Sequence, residues 1–229
     1  HCANGATSAE SARLSCTTHY APVALPYFED FESYGSGSSA SIDPRWVKKV
    51  FGTTTQYPYP NSGNAIHGTR SLYFYSNRTS AISCYAAMPL FDTPIDSLNV
   101  QFYTRRNSNW NTTLYLGVMS DPNDISTFDT IAFINRIPDS LGSVAFHDFD
   151  LDSYRGNGKY IAFLSHIPAS DASSSRDYCY LDDILVSRIT CKRPSNLTFS
   201  RDADSSGITD WVGHLRWESP NDNFMVEYG

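Results

Sequence analysis

Polar and apolar positions alternate along most of this chain. From Leu98 to Tyr103 and from Leu114 to Val118 the apolar side chains occupy the even positions. Successive strand side chains point to opposite faces, so a period of two marks a half-buried β-strand. Short runs rich in β-forming residues recur at Trp46–Phe51, Gly68–Tyr75, Ala81–Ala87, Ile131–Ile134, Val144–Phe149, Tyr160–Leu164 and Tyr178–Val186. Turn signals separate them at Asn61-Ser-Gly63, Asp121-Pro122 and Arg155-Gly-Asn-Gly158, while Tyr57-Pro-Tyr-Pro60 reads as a loop. Roughly nine or ten strands without an amphipathic helix predict an all-β fold, a jelly-roll β-sandwich over residues 21–190.

The two ends have a different texture. Residues 1–20 resemble the closing hairpin of a fibronectin type III module, with Asn4-Gly5 as the turn and Leu14–Thr18 as the last strand. Residues 191–229 resemble the truncated start of another such module: Arg193–Phe199, Gly213–Trp217 and Phe224–Gly229 stand for its first strands. Leu215, Trp217, Val226 and Tyr228 would form an apolar face that needs a cover. The reading pairs Trp217 with the 1–20 segment, within one chain or, if the jelly roll holds the ends apart, as an intermolecular contact between neighbouring copies.

Acidic residues interrupt two of the apolar stretches. Asp182 and Asp183 sit inside the Tyr178–Val186 run, so strand parity aims at least one of them inward. Glu29, Asp30 and Glu32 lie among aromatics in Leu25–Ser33. A buried carboxylate is costly unless it is paired or holds a cation. If the first and last strands of the sandwich are neighbours, the two clusters meet. The five acids, Glu32 and Asp183 foremost, are then candidate ligands of calcium, a hard ion that takes six to eight oxygens. Solvated strand edges are the alternative, since Phe31 pointing inward would turn Asp30 and Glu32 outward. Asp121-Pro-Asn-Asp124 lacks the spacing of a calcium loop and reads as a turn.

Composition narrows the classes. Seventeen basic against 24 acidic residues give a formal charge of −7 without a basic cluster, which argues against nucleic acid and anionic membranes as partners. No apolar stretch is long enough to span a bilayer. Five cysteines without CxxC spacing give a zinc site little support, and their odd number leaves at least one thiol unpaired within the chain. Nucleophile-elbow, HExxH and phosphate-loop motifs are missing, and Asp182 and Asp183 are adjacent on one strand rather than facing across a cleft. The reading is therefore not an enzyme. The Asn77-Arg-Thr79, Asn111-Thr-Thr113 and Asn196-Leu-Thr198 triplets are glycosylation acceptors only in a eukaryotic source.

The central region resembles the cleaved-adhesin family of bacterial surface proteins, related in shape to MAM domains and to concanavalin- or galactose-binding-like carbohydrate-binding modules. Leu25–Ser33, Gly68–Tyr73, Leu116–Asp124 with Thr127-Phe128, Tyr154–Phe163 and Tyr180–Ile184 carry the resemblance, in order along the chain. It implies a calcium-stabilised jelly roll with an adhesive role in a secreted or surface-attached multidomain protein. A glycan or an extracellular or host protein is the expected partner.

For the ligand contacts, Trp110 among Asn109, Asn111 and other polar residues has the character of a sugar platform, as do Tyr57 and Tyr59. A ring can stack on a sugar while amides bond its hydroxyls. Trp46 is expected in the core. The rival function is a structural spacer for a catalytic domain elsewhere in the parent chain.

Overall fold

The computed structural model describes residues 20–106, 114–134, 143–167, 177–190, 195–201 and 213–218. Its strands are β1 (Tyr27–Glu29), β2 (Val47–Phe51), β3 (Tyr59–Asn61), β4 (Ser71–Ser76), β5 (Ser83–Ala87), β6 (Leu98–Arg106), β7 (Leu114–Met119), β8 (Phe128–Ile134), β9 (Val144–Asp150), β10 (Tyr160–Ser165) and β11 (Asp177–Arg188). Two more, β12 (Ser195–Arg201) and β13 (Gly213–Glu218), pair with each other as an antiparallel hairpin.

Alternating sequences become a sandwich because each strand has one apolar face to bury. One sheet runs β3-β4-β11-β6-β9, with β1 also paired to β11; the other runs β2-β5-β10-β7-β8. Leu72, Phe74, Phe102, Leu181 and Val186 from the first sheet meet Cys84, Leu116, Val118, Ile161 and Phe163 from the second in one core. The even positions of Leu98–Phe102 and Leu114–Val118 are all buried, as the alternation predicts. Trp46 lies in the core as expected, its indole N–H donating to the Tyr27 hydroxyl at 2.9 Å.

A second, smaller apolar cluster forms on the outer face of the five-stranded sheet, where Tyr85, Ala87, Met119 and Ala162 are buried against Ile125 and Phe128. The β7–β8 connection covers it, and the Tyr85 hydroxyl donates to the Pro122 carbonyl. That connection is a turn, as read from sequence. Asp121 accepts the Asn123 N–H, and Asp124 caps the following 3-10 turn by accepting from Ser126.

The Tyr154–Lys159 motif is also structural. The Tyr154 hydroxyl accepts the Gly158 N–H at 2.9 Å and lies where a Cβ on Gly156 or Gly158 would sit. β3 corrects the loop read at Tyr57–Pro60: Tyr59 and Pro60 pair with β4. Proline is tolerated there because β3 is an edge strand. Among the described residues no helix is long and apolar enough to cross a membrane.

Candidate functional site

The strands that carry the two acidic clusters are neighbours. β11 pairs with β4 through Leu181 and with β1 from Ile184 on, so the first and last strands of the sandwich are neighbours, with Glu29 opposite Ile184. Asp182 and Asp183 occupy the step between these two pairings. A bulge shifts the register against β6 there, and Asp183 adopts a left-handed φ of 48°. The bulge resets strand parity, which returns Ile184 to the core after Leu181.

Asp182 is buried, with 1% exposure, under the segment before β4 rather than in the core as parity suggested. It accepts the His67 N–H, the Ser71 hydroxyl and the Asp183 N–H. Burial nevertheless pushes its carboxyl up to about 6. Asp183 meets the His67 ring nitrogen Nδ1 at 2.6 Å.

Glu32 reaches the same segment from the other side. Its carboxylate accepts the N–H groups of Thr69 and Arg70, both at 2.7 Å, and the Thr69 hydroxyl at 2.5 Å. These bonds, led by the hydroxyl, hold its carboxyl below the usual range. Gly68 has φ +59°, and a Cβ there would come within 2.5 Å of a Glu32 oxygen. Asp30 accepts the Glu32 N–H and closes the turn.

Glu29 does not face water, because β1 points Tyr27 and Glu29 inward and Phe28 outward. Its oxygens accept the Phe31 N–H and the Tyr27 and Tyr34 hydroxyls, and burial raises its pKa. Phe31, left-handed at φ 59°, ends the strand parity and is itself fully buried.

Glu32 and Asp183 thus flank residues 67–70 with hard oxygen donors, the kind calcium takes. In this structure those oxygens are engaged by protein N–H and O–H groups. Among the described residues no three His, Cys, Asp or Glu side chains form a metal-holding group.

A second site lies on the outer face of the six-stranded sheet. In β4, Leu72 and Phe74 enter the core, so Tyr73 and Tyr75 point away from it; in β11, Cys179 and Leu181 leave Tyr178 and Tyr180 outward by the same alternation. Tyr59, Tyr73 and Tyr180 stand opposite one another across three strands, as do Tyr75 and Tyr178 across two. Tyr57, just before β3, joins them. It stacks on Tyr59 at a centroid distance of 5.3 Å and touches Tyr73 and Tyr75. Tyr73 stacks on Tyr180 at 5.0 Å and on Tyr178 at 6.0 Å.

Asn64 donates to the Tyr180 hydroxyl, and Asn77 donates to that of Tyr75. Burial within the cluster pushes the Tyr57 phenol up to about 12 and raises Tyr59 and Tyr73. The face presents phenolic hydroxyls on aromatic rings.

Of the residues proposed from sequence, Tyr57 and Tyr59 fall within this cluster. Trp110, Asn109 and Asn111 lie outside the described residues, as do the 1–20 segment up to His19 and the Trp217 side chain. Tyr73, Tyr75, Tyr178 and Tyr180 were missed as a site. Their signal is present: tyrosine at every second position of two core strands, Tyr73-Phe-Tyr75 and Tyr178-Cys-Tyr180.

Two solved domains of Lys-gingipain share this arrangement of strands. The K1 cleaved adhesin domain, from Porphyromonas gingivalis W83, superposes with a TM-score of 0.50 at 19% identity, covering 72% of this chain and 99% of that domain. The K2 cleaved adhesin domain gives 0.52 at 14% identity, with the same coverage. The fold is that of a cleaved adhesin domain. No family model matches the sequence, and no curated protein matches it either. At these identities the cleaved adhesin likeness extends to the fold, and the tyrosine face and acidic junction stand on this chain's own residues.

Proposed function

We propose that the chain is a non-catalytic binding module that holds a glycan against the tyrosine face of its six-stranded sheet. The observation that carries this reading is the packed set of Tyr57, Tyr59, Tyr73, Tyr75, Tyr178 and Tyr180. A sugar ring offers C–H groups on one side and hydroxyls at its rim. Aromatic faces suit the first and phenolic hydroxyls the second. The rings brace one another, so little side-chain freedom remains to be lost on binding. The phenolic hydroxyls can both donate and accept hydrogen bonds.

The same reading gives calcium a structural role. Glu32 and Asp183 would hold the ion beside residues 67–70, fastening the segment before β4 to the β1–β11 junction. The ion would supply positive charge to carboxylates that otherwise depend on N–H donors. Location on a cell surface or in the extracellular medium belongs to this proposal, as does an extracellular glycan-bearing partner.

A glycan array probed with the full chain and with Tyr59→Ala tests the reading. Wild type is expected to retain at least one class of oligosaccharide, with binding by the variant weaker by about tenfold. No bound glycan, or equal binding by both proteins, contradicts it.

A further inference from the structure

A cavity of about 440 Å³ opens at one side of the sandwich, with no tyrosine in its lining. Its roof is the segment between β1 and β2, which ties the edges of the two sheets together. The Gly37 N–H donates to the Pro60 carbonyl of β3, and the Lys48 ammonium of β2 donates to the Ala40 carbonyl at 3.4 Å. β2 and β3 are the edge strands of their sheets. Val50 packs against the main core, so by the period of two Lys48 sits on the same inner side of its strand.

Lys48 is the unusual group. It is half-buried, and among the described residues it makes no ion pair. Among the described residues the one hydrogen bond of its ammonium is the long contact to the Ala40 carbonyl. The only carboxylate in the cavity wall, Asp43, is held by Arg45, whose Nε lies 3.0 Å from both of its oxygens. The wall thus keeps one uncompensated positive charge, and burial lowers the Lys48 pKa accordingly. A cation in such a place is costly until an anion joins it.

The other wall groups define what that anion is attached to. Ser38, Ser39, Ser41 and the Gln56 side chain are neutral hydrogen-bonding groups, and Trp46 and Ile42 form an apolar side. A small inorganic anion would be served by several converging cations or N–H groups and would leave most of this volume empty. A neutral sugar would fill it but leave Lys48 unpaired. We infer that the cavity binds a carboxylated sugar unit of the uronic-acid class, its carboxylate on Lys48 and its hydroxyls on the serines and Gln56. None of the six tyrosines of the other face lines this cavity, and the assignment does not rest on them.

Calorimetric titration of the full chain with glucuronate, glucose and sodium sulfate tests the assignment, with amide NMR shifts locating the binding. Glucuronate is expected to bind at least about tenfold more tightly than either glucose or sulfate, because a hydrogen bond to a charged group adds to the sugar contacts. Shifts should concentrate at residues 38–43, Lys48 and Gln56. Lys48→Met should erase the preference for glucuronate over glucose. Gln56→Ala, an exposed position whose change leaves folding intact, should weaken glucuronate while Tyr59→Ala leaves it unaltered. Equal affinity for glucuronate and glucose overturns the assignment, as does sulfate binding as tightly as glucuronate. Glucuronate affinity unchanged in Gln56→Ala and in folded Lys48→Met also overturns it.

Discussion

Tyr73 and Tyr180 face each other across the β4–β11 pair, their ring centroids 5.0 Å apart and their planes 25° from parallel. Cross-strand aromatic pairs of this kind contribute about 0.5–1.5 kcal/mol beyond simple burial. Here the pair also forms the floor of the tyrosine face, since both residues are buried while Tyr57, Tyr59, Tyr75 and Tyr178 around them are half-exposed. Stability and recognition therefore separate by position. Tyr180→Ala should lower the melting temperature and disturb binding together. Tyr59→Ala, on the edge strand, should reduce binding with a much smaller loss of stability. Thermal melts of the two variants alongside glycan binding check the distinction.

The calcium proposal has a thermodynamic signature. An ion that binds only the folded chain and is present at a hundred times its dissociation constant adds ~2.7 kcal/mol of stability. Melting with calcium should exceed melting with EDTA, and Glu32→Gln combined with Asp183→Asn should abolish the difference. Equal melting of wild type in the two conditions contradicts the proposal.

Asp182 gives a pH dependence whose sign follows from its environment. Its carboxyl is pushed up to about 6 by burial, so the folded chain binds the proton more tightly than the unfolded one. The stabilisation is complete below about pH 4 and is lost as the pH rises through about 6. Over that window wild type should lose on the order of 1–3 kcal/mol relative to Asp182→Asn. Glu32 is shifted the other way, and its contribution is lost only at lower pH. Denaturant titrations at several pH values provide the comparison. A difference between the two proteins that does not change across the window contradicts the assignment.

The strands were legible because their chemistry is local. Leu72 and Phe74 alternate with Tyr73 and Tyr75, and that alone assigns the two faces of β4. The pairing of the first and last strands was also legible, and it brings Glu32 and Asp183 to the same 67–70 segment, whereas Glu29 turns into the core onto Tyr27 and Tyr34. The bulge at Asp183 and the left-handed Phe31 were not, since a period of two carries no signal for either and both are set by the surrounding structure. The tyrosine face was half-read for another reason. Tyr57 and Tyr59 stood out beside prolines, whereas Tyr73, Tyr75, Tyr178 and Tyr180 were absorbed into strands whose order is a long-range property. The Lys48 cavity depends on the same long-range assembly, because the segment over it must bridge two sheet edges.

The Tyr27 hydroxyl is a hub between the core and the acidic junction. It accepts from Trp46 and donates to Glu29, whose carboxylate is also held by Tyr34 and the Phe31 N–H. Tyr27→Phe leaves the ring in place but strands the indole N–H and removes one donor from a buried acid. Loss of about 1–3 kcal/mol is expected in denaturant unfolding. A change near zero would mean that the hydroxyl is not part of a buried network.

The most direct test of the glycan reading is amide NMR mapping with whichever oligosaccharide the array identifies. Residues Tyr57, Tyr59, Tyr73, Tyr75, Tyr178 and Tyr180 should shift together on titration, and Tyr85, Tyr115 and Leu164 on the opposite sheet should remain in place. Shifts confined to the five-stranded sheet or to the loops, with the tyrosine face unmoved, would contradict the assignment of that face as the binding surface.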